Sequence, residues 1–368
     1  MYTRNAFFPS FHRALAALAI AGTLLLPVLV HAEDLPKVIR FGIPASVNAH
    51  GGSQKGSAST VGPVVIAALE KAFAGTGTKL EYKYFVNAGP GINEAFAGNQ
   101  IDFAFYGDFP AIIARAGGIP IQLVVPASRG SSDSYVVVPK DSPAKSIADL
   151  KGKRVSLNMG RPWMLTFSRL LESQGLTFAD FQIFNLVMPD GDAAVASHNV
   201  DAQVTLDGLQ LEARGLARIL WSSHDAPLDW KFTADVFARE DFIKSYPTAT
   251  QKIVTAYIQG ARYNADPAHR EEYLTAVAAA QAIPLPLELK AWQGREVAPA
   301  LSPLFDPFEF AHYQEVVDFA AKNKLIRRKF DVTAFLEPRF ATQALKDLHL
   351  TDYWIPVDAD GKPLKPGL

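Results

Sequence analysis

The stretch SLNMGRPWMLTF sets Gly160, Arg161, Pro162 and Trp163 between a short apolar strand pattern and an apolar helix pattern. An arginine at a helix start faces the partial positive charge of N–H groups that lack an acceptor, which is unfavourable by a few tenths to about 1 kcal/mol. A negative group is therefore expected nearby. Arg161 offers a planar fork of donors suited to a sulfonate, sulfate or carboxylate, and charge-assisted bonds of this kind contribute roughly 1.5–3 kcal/mol each. The competing reading is a solvated arginine that only flanks the helix. Trp163 either stacks on an organic substituent or packs in a helix–sheet core.

A second strand-to-helix turn carries Tyr106, Gly107 and Asp108, followed by Phe109 and Pro110. Asp108 reads first as a helix N-cap, a role compatible with lining a cleft. A carboxylate facing an anion would repel it, so Asp108 and Asp207 are read as partners for Arg161, Arg129 or a ligand ammonium group. The polar loop ASVNAHGGSQKGSAST adds Asn48, His50, Gln54 and Thr60 as donors ahead of a helix N-terminus. Its alternative is a plain mobile loop.

Catalysis is not expected. The chain has no cysteine, which removes thiolate nucleophiles, disulfides and thiolate metal sites. His50, His198 and His224 have no ligand spacing such as HExxH, and no GxSxG elbow is present. No cofactor or metal is expected.

These residues sit on an alternating frame. KVIRFGI, KLEYKYFV, IDFAFYG and IQLVVPAS read as strands, with helices in GPVVIAALEKAFAG, GINEAFAG and FPAIIARAGG between them. The alternation continues through SYVVVPK, RVSLN, PWMLTFSRLLESQG, FQIFNLVM, GDAAVASHN and VDAQVTLD, which indicates βαβ units and mainly parallel sheets. From Asp241 the chain is mostly helical. EAFAGNQIDFAFYGD, from Glu94, aligns without gaps on AAVASHNVDAQVTLD, from Ala193, pairing Asp102 with Asp201 and Asp108 with Asp207. Two similar α/β domains facing each other would set Asp108 and Asp207 on opposite walls of one cleft, at carboxyl ends of strands.

The first 32 residues read as a signal peptide: Arg4, His12 and Arg13 precede an apolar run that ends at Val30-His31-Ala32, a small-residue cleavage site after Ala32. The mature chain is expected in the periplasm. Losing Arg4 and Arg13 takes the net charge from −1 to about −3, and no basic run suggests nucleic acid. The remaining length suggests two domains. The tail DADGKPLKPGL reads as a poorly ordered end.

GNQIDFAFYGDFPAIIARAGGIPI and VVVPKDSPAKSIADLKGKRVSLNMG resemble the aliphatic sulfonate, taurine and nitrate group of periplasmic binding proteins that feed ABC importers. The resemblance runs from about Val38 to Glu212. It implies a two-lobed, type II clamshell with mixed, mainly parallel sheets and a helical C-terminal part. Residues 33–130 and 231–350 would form one lobe, 131–230 the other and 351–368 a tail, with hinge strands near Ala127 and Trp230. Arg129 then stands at the first crossing, able to face ligand, hinge or solvent. The implied ligand is a small organic anion, such as an aliphatic sulfonate, a taurine-like compound or a sulfate ester, and the implied partner is a permease, with the protein monomeric. Nitrate, a carboxylate or a thiamine-pyrimidine-type ligand, or presentation to a sensor, are the alternatives. The family's glycine is followed by small hydroxyl residues, whereas this chain has Arg161-Pro162-Trp163.

Overall fold

The computed structural model describes residues 35–47, 53–54, 61–86 and 88–364. Residues 1–34, with the expected signal peptide, lie outside them. The first run comprises β1 (Val38–Pro44), β2 (Ser46–Val47), β3 (Ser53–Gln54), α1 (Pro63–Phe73), β4 (Lys79–Phe85), α2 (Gly89–Ala97), β5 (Phe103–Gly107), α3 (Asp108–Ala116) and β6 (Ile121–Arg129). The second comprises β7 (Tyr135–Pro139), β8 (Arg154–Ser156), α4 (Trp163–Ser173), β9 (Gln182–Phe184), α5 (Met188–Ala196), β10 (Ala202–Thr205), α6 (Gly208–Ala213) and β11 (Ala217–Ser222). β12 (Thr233–Arg239) then leads into α7 (Glu240–Ser245), α8 (Pro247–Asn264), α9 (Arg270–Gln281), α10 (Leu285–Ala291), α11 (Val297–Ala300), α12 (Pro307–Lys322), α13 (Val332–Phe335) and α14 (Arg339–Asp347).

The strands form two five-stranded sheets, ordered β4-β1-β5-β12-β6 and β9-β8-β10-β7-β11, and a small β2-β3 ribbon. Each large sheet has two parallel and two antiparallel pairings, so parallel pairing is less dominant than the alternation suggested. In each, the reversed strand arrives from the other sheet: β7 follows β6, and β12 follows β11. The chain therefore passes between the lobes at 130–134 and again at 223–232.

The two sheets match strand for strand, and so does a side-chain device at the strand starts. Arg40 donates through its backbone N–H and Nε to Asp102 Oδ2 and through Nη2 to Oδ1, with Nη1 on Asn99 O. Arg154 makes the same bonds to Asp201, with Nη1 on Asn199 O. The residue at the aligned turn position is left-handed in both, Asn99 at φ 53° and His198 at φ 61°. The weak repeat in the sequence thus has a geometric counterpart.

Burial explains the strand pattern. Ile39, Phe41 and Ile43 alternate along β1 and are fully buried, worth roughly 1.5–3 kcal/mol each against exposure. The C-terminal helices cover the first sheet: α8 lies so close to α1 that a Cβ on Gly260 would stand 2.9 Å from Val65 Cγ2. α12 is capped by Asp306, whose side chain accepts from Glu309 N, and it packs on α3 with Phe319 against Phe109. Arg169 of α4 pairs with Glu315 of α12, joining the lobes. α9–α11 close around their own core of Tyr273, Leu274, Val277, Trp292, Val297 and Leu301. The tail is tied down at Val357, whose N donates to Asp306 Oδ2 and which bridges Pro363.

Candidate functional site

Arg161 sits between the lobes. Its Nη1 lies 3.6 Å from where a Cβ on Gly89 would stand, so the guanidinium reaches from the turn before α4 to the first residue of α2. Gly89 has to be glycine, because an added Cβ would collide with Pro110 on α3. No hydrogen bond or ion pair joins Arg161 to any described residue, and burial alone pulls its pKa below the usual arginine value. A half-buried cation beside the positive end of a helix is electrostatically unfavourable until an anion joins it. The negative group expected from the sequence is therefore not a carboxylate of the described residues.

The surrounding backbone is shaped for close approach. Ala88, before α2, adopts φ 45° and ψ −120°, a conformation non-glycine residues avoid and one that tends to persist at functional sites. Gly160 turns at φ 72°, and a Cβ there would stand 3.8 Å from Ile113 Cδ1 of α3. A Cβ on Gly107 would come 3.1 Å from Pro162 Cγ. The turn Gly160–Trp163 thus presses on the N-terminal ends of α2 and α3, whose first-turn N–H groups have no acceptor within their own helices. An oxyanion suits this geometry, with Arg161 and helix-start N–H groups as donors.

Trp163 opens α4 with its ring packed in the core, which favours the packing reading, while its indole N–H is buried without a partner among the described residues. The hydroxyls of Ser156 and Thr166 are unpaired in the same way. Such orphaned donors invite a ligand or a bound water.

Four expectations are corrected. Tyr106 is a core residue: its ring meets Phe237 edge-on, and its hydroxyl donates to Asn93 Oδ1 at 3.1 Å. Asp108 is not the cap but the first residue of α3, behind Gly107. Its Oδ2 accepts from Thr233 N at 3.1 Å and lies 2.7 Å from His312 Nε2, turned away from Arg161. Arg129 faces neither ligand nor solvent, because Nη1 bonds Asp306 at 2.8 Å, Nη2 reaches Leu304 O, and Glu309 is 3.2 Å away. Asp207 accepts from Gln210 Nε2 at 3.0 Å and is no partner of Arg161. Asn48, His50 and Thr60 lie outside the described residues, and Gln54 is described only as backbone in β3.

Asp192, on α5, was not singled out from the sequence, and nothing local marks it. Burial, then the charge of neighbouring Asp207, pushes its carboxyl up to about 7, and burial raises Asp207 too. Gln203 Nε2 is 3.5 Å from Asp192, and Arg214 acts on Asp207. The unfolded chain releases this proton near pH 4 and the folded protein only near 7, so stability falls as pH rises through that window. Asp192→Asn should accordingly raise the melting temperature above that of the parent at pH 8 and leave it unchanged at pH 4. Equal melting temperatures at pH 8 would contradict the shift.

The family model described as NMT1/THI5 like matches residues 61–269. A protein of Escherichia coli (strain K12) named as an aliphatic sulfonates-binding protein is 27% identical over 329 residues, covering 87% of this chain and 95% of that one. The solved structure of the periplasmic sulfonate-binding protein SsuA from Methylobacillus flagellatus KT is 39% identical, with a TM-score of 0.77, over 89% of this chain and 98% of that one. The periplasmic aliphatic sulphonate binding protein SsuA from Escherichia coli shares the fold, at 23% identity and a TM-score of 0.64, over 91% of this chain and 97% of that one.

Proposed function

Since the chain belongs to the NMT1/THI5-like family, we propose that it is a periplasmic solute-binding protein that delivers an aliphatic sulfonate or similar small organic anion to an ABC importer. The observation that carries the reading is the unpaired, half-buried guanidinium of Arg161 beside the start of α2. A sulfonate supplies the missing charge and accepts bonds from the arginine fork and from helix-start N–H groups at once. No bond is made or broken. The ligand shifts the equilibrium between open and closed lobes by its extra affinity for the closed form. The monomeric state, the permease partner and cleavage after Ala32 belong to the same proposal.

A thermal-shift screen tests this. At 100 times its dissociation constant a ligand adds about 2.7 kcal/mol, so alkanesulfonates should raise the melting temperature more than nitrate, carboxylates or thiamine-type pyrimidines. A shift with a pyrimidine or a carboxylate alone would replace the sulfonate reading.

A further inference from the structure

The two crossings between the lobes run side by side. Gly130 N donates to Phe232 O at 3.1 Å, Ser223 N to Ser134 O at 2.9 Å, and Ser134 N to Ser223 Oγ at 2.9 Å. Between them lies the Asp133 carboxylate, its side chain 1% exposed. From the second crossing, His224 Nδ1 approaches it at 3.2 Å and Lys231 Nζ at 3.8 Å, while Lys231 also donates to His224 O at 2.8 Å. The closest cation comes from neither crossing. Arg295, in the loop after α10, places Nη2 against Asp133 Oδ1 and also donates to His224 O at 2.8 Å. His224 Nε2 is 3.0 Å from Gln293 O of the same loop.

The segment that carries Arg295 touches both lobes. α9 lies against α8, on the first sheet's side, while α10 meets α6 of the second, with Lys290 3.6 Å from Glu212. We infer that α9–α11 form a third connection across the hinge, and that Arg295 is a positioning residue that sets the angle between the lobes through Asp133. This rests on the closure reading given above. The clasp is made with the lobes in contact, Gly107 on Pro162 and Arg161 at Gly89. It therefore favours the closed arrangement. Burial and the charge of Arg295 bring the Lys231 ammonium down to about 8, still charged at neutral pH, but at 3.8 Å it stands farther from Asp133 than Arg295 does.

Without the clasp the closed form is a smaller fraction of the ligand-free protein, and apparent affinity falls by that fraction although no anion contact changes. The chain has no cysteine, so spin labels can be placed at Glu94→Cys on α2 and Asp190→Cys on α5, both exposed. In the absence of ligand, Arg295→Gln and Asp133→Asn should each lengthen and broaden the distance distribution between the labels. Titration with pentanesulfonate should show roughly tenfold weaker binding, carried by faster dissociation, with the order of preference among anions unchanged. Arg295→Lys, which keeps the charge but loses the fork, should lie between the parent and Arg295→Gln. Parent-like distances in Arg295→Gln overturn the inference. If that variant does not fold, parent-like distances in Arg295→Lys do so. If pentanesulfonate fails to bind the parent, the sulfonate reading falls while the ligand-free distances still decide the hinge.

Discussion

Replacing Arg161 by alanine should weaken binding of an aliphatic sulfonate by about 2–4 kcal/mol, roughly 30- to 1000-fold, while the fold keeps its stability or gains slightly. Two features combine here. The guanidinium bonds to no described residue, so its removal leaves no protein group unpaired. It also sits where the positive end of α2 disfavours a cation, so the ligand-free protein loses an unfavourable interaction. The anion, in contrast, loses its charge-assisted donor fork. Arg161→Lys should restore part of the affinity, since an ammonium supplies charge without the planar fork. Calorimetric titration distinguishes the outcomes: a change below about threefold in Arg161→Ala would mean that N–H groups alone hold the anion.

The opposite pattern is expected at Arg129, where alanine should cost about 3–5 kcal/mol of stability and lower the melting temperature by roughly 5–15 °C. Arg129 is 3% exposed and is held among Asp306, Glu309 and the Leu304 carbonyl, with Asp235 close enough to act on it. Removing it leaves buried acids with no counter-charge. Glu309 is the exception, for burial and then the neighbouring Asp235, Asp306 and Asp108 raise its carboxyl well above the usual range against the lowering pull of Arg129, which favours the neutral acid. Glu309→Gln should therefore change stability by less than about 1 kcal/mol, because an amide replaces a neutral acid. Thermal denaturation of both variants checks the pair, and a costly Glu309→Gln would show that the acid is ionised.

The difference between these two arginines shows what was legible. Arg161 is read by its neighbours in sequence: a glycine, a proline and a helix pattern place it at a helix start, and the dipole argument asks for an anion. Arg129 answers to Asp306, 177 residues away, and Asp108 to His312, 204 residues away; no local pattern encodes such pairings. Tyr106 failed for a simpler reason. It is the last but one residue of a strand whose first four residues are all buried, and one residue earlier than Gly107 its side chain falls on the core face. The strand–helix alternation was readable because each element buries one face, and the repeat because Asp102 and Asp201 do the same work at equivalent strand starts.

The reciprocal placement of β7 and β12 also has a bearing on the protein's ancestry. Each half of the chain lends one reversed strand to the other half's sheet, and the strand orders match once that exchange is made. Two identical subunits that swapped a strand and were later joined end to end would have this connectivity, with the twin Arg–Asp clamps as inherited landmarks. Neither half then completes its own sheet. Cutting the chain between β7 and β8 would not release two independent domains but two fragments, each bearing the strand the other lacks.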